Sequence, residues 1–196
     1  MAIKYIEIKA TKIERMIKSE DFKCFKKHIE TVIGIKNDIY EIVIENVAYD
    51  ESGLPNEEVN ARVTFKNNYS KVDKIVFFRD SLGKNINRKF GRISHNNDIF
   101  NKIADIYIKN ALVHELVHIK QFENGKLTIE TIMDEKKLHY TDRTLEIEAE
   151  NRARKIISSY GNFEEEIMKY ISSKNCFTND SMCKIEEIYL DKKTSK

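Results

Sequence analysis

The stretch His114-Glu115-Leu116-Val117-His118 brings together the residue types that hold and use a divalent metal ion. Residues four apart lie on one face of a helix, so the two imidazoles can offer nitrogens to one ion, with Glu115 beside them. An ion held in this way polarises a carbonyl and acidifies a bound water, whose proton a neighbouring carboxylate can take. A catalytic zinc takes three protein ligands and keeps one position for water, so the pair needs a third donor. Glu146-Ile-Glu-Ala-Glu150-Asn151 is the best source, because Glu146 and Glu150 share a helix face while Glu148 points elsewhere. Glu146 is therefore the expected third ligand. Glu150, one turn on, is expected to accept the free ring N–H of His114 and fix its tautomer. His139 and Tyr140, just ahead of that segment, are the candidates to stabilise the oxyanion, with an arginine such as Arg143 as a further one. Gln121, three residues after His118, reads as a surface or packing residue.

These residues need rigid elements beneath them. Ile103, Tyr107, Ala111, His114 and His118, then Gln121 or Phe122, fall along one helical stripe that Asn96 or Asn97 can open and Asn124-Gly125 can close. Thr141 can cap a second helix from Asp142 to about Tyr160, ended by Gly161, and the stretch Lys126 to Tyr140 before it has no clear pattern. Upstream, Ile13, Met16 and Ile17, then Phe22, Phe25, Ile29, Val32 and Ile33, predict two helices or one kinked helix ending at Gly34, with His28 packed rather than ligating. Residues 39–49, 59–65 and 74–79 read as three strands of an antiparallel meander, and the last feeds a polar loop carrying Arg88, Arg92 and His95. A strand there can present an open edge to an extended peptide. Asn162 can cap a short helix over Glu164 to Ile171, and Met182, Ile185, Ile188 and Tyr189 suggest a last amphipathic one. Ile3, Ile6 and Ile8 fit a strand or a lead-in to a helix.

His114-Glu-Leu-Val-His118 followed by Glu146-Ile-Glu-Ala-Glu150 resembles the gluzincin branch of the zincin metallopeptidases. In that branch a helix carrying H-E-x-x-H precedes a second helix carrying E-x-x-A-[DN] or E-x-x-x-D. Among compact members the chain looks most like the ImmA/IrrE-type and other phage-associated minimal peptidases. The resemblance covers about Ile99 to Ile157 and departs from the pattern at Glu150, where the family holds Asp or Asn; Asn151 is a possible substitute. It implies a Zn²⁺ cofactor on His114, His118 and Glu146, with Glu115 as general base in peptide hydrolysis.

Composition excludes several other classes. Lys and Arg number 34 against 32 Asp and Glu, a net charge of +2, so no global field draws the chain onto nucleic acid or an anionic membrane. The Arg88, Lys89, Arg92 cluster reads as a solvated loop. No segment nears the roughly 18 apolar residues of a membrane span, and the N-terminus lacks a signal-peptide core, which predicts a cytoplasmic protein. Cys24, Cys176 and Cys183 are odd in number and irregular in spacing, so free thiols are expected. The expected fold is a compact α+β domain over residues 1–191, with a basic disordered tail at 192–196. In it a small antiparallel sheet packs on the motif helix and the glutamate-ligand helix, with extra helices at both ends. The expected function is zinc-dependent cleavage of a specific protein. The alternative is a binding or regulatory module of the same fold with little turnover.

Overall fold

The computed structural model describes residues 7–36, 40–50, 52–66, 69–91 and 97–160. The readings made for Ile3, Ile6, Arg92, His95, Asn96, Cys176, Cys183, the helices expected after Gly161 and the 192–196 tail lie outside them.

Two helices open the described chain. Helix α1 (Ala10–Ile17) buries Ile13 and Ile17. Helix α2 (Glu20–Ile33) starts where the Ser19 side chain accepts the Phe22 N–H, and stops at Gly34, whose φ of 74° only glycine adopts without strain. Its buried residues, Phe22, Phe25, Ile29 and Ile33, recur every three or four positions and form one packing stripe. His28 stays exposed, its ring 5.4 Å from that of Tyr160.

The strands follow: β1 (Glu41–Glu45), β2 (Ala48–Tyr49), β3 (Pro55–Asn56), β4 (Ala61–Lys66) and β5 (Lys71–Phe78). Two departures from the expected meander stand out. The 39–49 run is split, and its second part pairs with β3 in a small separate hairpin. The main sheet has the order β1-β5-β4, with β1 parallel and β4 antiparallel to β5, so it is mixed rather than antiparallel. The physical reason lies in burial. Ile75, Val76, Phe77 and Phe78 of β5 are all buried, so this run is covered on both faces and takes the centre, where each side accepts a partner.

Directly after β5 the expected polar loop is instead helix α3 (Arg79–Phe90). Leu82, Ile86 and Phe90, spaced by four, are fully buried and supply the helical stripe. Helix α4 (Asn97–Glu123) carries the H-E-x-x-H stretch and ends at Gly125, with φ of 70°. Helix α5 (Ile129–Glu135) forms in the stretch that had no clear pattern, under a capping box between Thr128 and Thr131. A short 3-10 turn at Tyr140–Asp142 then leads into helix α6 (Thr144–Ser159), so Thr141 lies in that turn and does not cap the helix.

One buried cluster joins α1, α2, the main sheet, α3, α4 and α6, giving an α+β architecture wrapped around α4. Polar ties set the register of that central helix. Lys109 of α4 is buried and satisfied by Asp105 at 2.7 Å and by Asp21 of α2 at 2.6 Å. Ahead of β4, the Asn60 amide donates to the Tyr107 hydroxyl of α4 at 3.0 Å and its oxygen accepts from Asn85 of α3 at 2.9 Å. Those bonds hold the start of β4 against the helix that carries the motif.

Candidate metal centre

His114, Glu115 and His118 sit on the fifth and sixth turns of α4, where neighbouring Leu112, Val113, Leu116 and Val117 are completely buried. Ala149, Ala153 and Ile157 pack α6 into the same core. This packing brings Glu146, on the first turn of α6, to the two imidazoles.

The three side chains converge on one point. His118 Nε2 lies 3.0 Å from His114 Nε2, and Glu146 Oε2 lies 3.2 Å from His114 Nε2 and 3.5 Å from His118 Nε2. A tetrahedral zinc with bonds of about 2.0–2.1 Å sets its ligand atoms about 3.4 Å apart, and the observed separations bracket that value. Two neutral imidazoles and a carboxylate are also the donor set that suits zinc. Among the described residues this is the one group of three such side chains close enough to share an ion.

Without an ion the cluster carries its own charge. Burial disfavours an imidazolium at His118, yet the bond to Glu146 and the fields of Glu115 and Glu146 outweigh it and raise the pKa to about 9. For Glu146 burial favours the neutral acid, but the bonds from His114 and His118 dominate and hold the carboxyl well below the usual carboxylate range.

Glu115 is buried, with 6% of its surface exposed, and its Oε2 accepts the Val63 N–H of β4 at 2.7 Å. Among the described residues its Oε1 has no hydrogen-bond partner. Val63 therefore turns its amide away from β5. Groups of alternate residues in a strand point the same way, so Ala61 shares that outward direction. Among the described residues β4 is an edge strand, with β5 its sole neighbour in the sheet. An open cleft of about 810 Å³ runs along it, with His114, Glu115, His118 and Glu146 at its floor. Ala61 and Arg62 form one wall; Leu127 and Ile132 form the other. Past His118 the groove continues between Phe65 and Tyr69 on one side and Leu127 and Ile132 on the other, which makes that end apolar.

The remaining expected residues fare differently. Glu150 is exposed and paired with Arg154 at 3.0 Å, one helical turn on, and has no hydrogen bond to His114, although both line a smaller hollow beside the cleft. Asn151 is also exposed. In that hollow the Oδ1 of Asn110 is buried without a hydrogen-bond partner among the described residues. His139 is exposed, with Nδ1 2.9 Å from Thr141 Oγ1, and is not part of the cleft wall. The side chain of Tyr140 lies outside the described residues. Arg143 does line the cleft.

Three residues of the site were passed over in the sequence. Val63 acts through its backbone, which has no sequence signature. Tyr69 lines the cleft from the β4–β5 turn with a φ of 62°, unusual for a bulky residue, and its ring lies 4.9 Å from that of Phe65. Gln121 is no surface residue: it is 3% exposed and its Oε1 lies 2.8 Å from His118 Nδ1. Its spacing of three from His118 and its place at the end of the apolar stripe were the available signals.

Compared with family models, curated proteins and solved structures, the chain matches none of them.

Proposed function

We propose that this chain is a zinc-dependent endopeptidase of zincin-like fold that hydrolyses a peptide bond of a protein substrate. The observation that carries the reading is the meeting of His114 Nε2, His118 Nε2 and Glu146 Oε2 within 3.0–3.5 Å at the floor of an open cleft. When bound, the zinc supplies a Lewis acid for the scissile carbonyl and lowers the pKa of its water toward neutrality.

The chain's own residues do the rest. Val63 N–H fixes one oxygen of Glu115, which leaves the other to take a proton from the attacking water and pass it to the leaving amine. The outward backbone groups of Ala61, together with the Val63 carbonyl, suit pairing with an extended peptide, so the substrate lies along β4 and crosses the three ligands. Arg62 and Arg143, both lining the cleft, are its candidate charged donors for developing negative charge.

Metal analysis of the purified protein and new-terminus proteomics in expressing cells test the reading together. Wild type should hold one zinc per chain and generate new termini. Glu115→Gln should keep the zinc and lose cleavage by about 10²–10⁴-fold, the usual share of a general base. Cleavage undiminished in Glu115→Gln would remove the assigned base, and Glu146→Ala with zinc affinity unchanged would remove the third ligand.

A further inference from the structure

Gln121 does more than fill space. We infer that it is the positioning residue that decides which ring nitrogen of His118 faces the metal position, and that it ties this choice to the seat of Glu146. The inference rests on the metal-centre reading above.

A glutamine amide has an oxygen that only accepts and an NH₂ that only donates. The Nε2 of Gln121 lies 3.0 Å from the carbonyl oxygen of Leu145 and 3.2 Å from Glu148 Oε2, and both of those partners are acceptors. The amide is thereby oriented with its nitrogen toward α6 and its oxygen toward His118. Oε1 lies 2.8 Å from His118 Nδ1, so Nδ1 must carry the hydrogen. A neutral imidazole has one N–H, and the lone pair is left on Nε2, the atom that meets His114 and Glu146. The opposite tautomer would set two lone pairs against each other in a site where Gln121 is 3% exposed and no water can relieve them.

The same amide reaches the third ligand. Leu145 directly precedes Glu146, so the bond to its carbonyl anchors the backbone from which Glu146 projects. Glu148, which points away from the metal position, is held in turn by Lys126 at 3.0 Å, so the amide meets a fixed partner. A glutamine serving only to pack would be replaced by methionine with little consequence for the ring; a positioning glutamine would not.

Ring-nitrogen NMR of ¹⁵N-histidine-labelled protein reads the tautomer directly. In the metal-free wild type, under alkaline conditions that leave the ring neutral, His118 should show the Nδ1–H form, and the Nε2–H form there would overturn the inference. Competition with a chromophoric chelator, using zinc alone as the probe, reads the consequence. Gln121→Met should weaken zinc by about 10–100-fold, as expected when an outer partner of a ligand is lost. Exchange of the two functional groups, Gln121→Glu with Glu148→Gln, keeps an acceptor for Nδ1–H but sets a carboxylate oxygen against the Leu145 carbonyl, so it should restore the Nδ1–H tautomer and only part of the affinity. Wild-type tautomer and affinity in Gln121→Met would sink this role while leaving the metal centre intact. A wild type that takes up no zinc would instead sink the metal centre, with the tautomer still decided by the metal-free spectra.

Discussion

His118 stands under opposed forces: its burial disfavours a proton, and two carboxylates demand one, with the pKa raised to about 9 as the outcome. On the proposed reading, a zinc ion taken up by His118 must displace that proton. Affinity measured by chelator competition should therefore rise with pH by about tenfold per unit between roughly 7 and 9 and level off above, the slope of one released proton. A slope of zero over that range would mean that His118 holds no proton there. The sign of the stability effect in the metal-free protein follows from the same shift. A raised folded-state pKa stabilises below the unfolded value near 6.5, and this contribution fades as pH climbs through about 9. For Glu146 the sign is opposite. Its depressed pKa stabilises above about 4.5 and loses effect as pH falls.

Among the elements, α5 and the start of α6 are joined by a single carboxylate. Residue Arg143, at the N-cap of α6, makes no side-chain capping bond, which leaves the first amides of that helix unserved from within. Glu135, the last residue of α5, fills the role from outside. Its carboxylate accepts the Leu145 N–H at 3.0 Å and the Thr144 hydroxyl, and its charge lies at the positive end of the helix. No residue of α5 is buried, so this bond is a main tether for a helix that forms one wall of the cleft. Glu135→Ala should cost about 1 kcal/mol in urea titration, the usual loss for a cap, and should hasten amide exchange across 129–135. Exchange rates unchanged in α5 would show that the tether is elsewhere.

At the scale of the whole molecule, one buried cluster among the described residues takes in α1, α2, the main sheet, α3, α4 and α6, and α4 passes through its middle. The proposed chemistry and the stability of the fold therefore share one element. Unfolding by denaturant should follow one transition, coincident by far-ultraviolet dichroism and by tyrosine fluorescence, the chain having no tryptophan. Phe100, fully buried on α4 away from the cleft, tests the coupling: Phe100→Ala should cost about 3–5 kcal/mol in that transition. Two transitions, with the strands and the helices melting apart, would refute a shared core. Among the described residues no helix is long and apolar enough to cross a membrane.

The amino-acid sequence by itself determined the features that repeat at helical spacing. The bounds of α4, the shared face of His114 and His118 and the presence of Glu146 on a following helix were all legible, because local periodicity and capping residues encode them. Helix α3 reads as a polar loop, although Leu82, Ile86 and Phe90 recur at helical spacing, because its polar remainder masks the stripe. Strand order was not legible either, since alternation tells which face is buried and not which strand lies beside it. Tertiary structure alone decided the surroundings of the motif. The Val63 amide reaches Glu115 only because Asn60 docks β4 on α4 and α3, and a backbone N–H leaves no trace in the residue code. Glu150 had a local competitor at the same spacing of four, Arg154, and local pairing prevailed over the reach to His114. Gln121 reads as a surface or packing residue from the sequence, and only the closing of α6 over it decides for burial. A polar side chain becomes a fixed donor and acceptor only when packing removes water and supplies its partners.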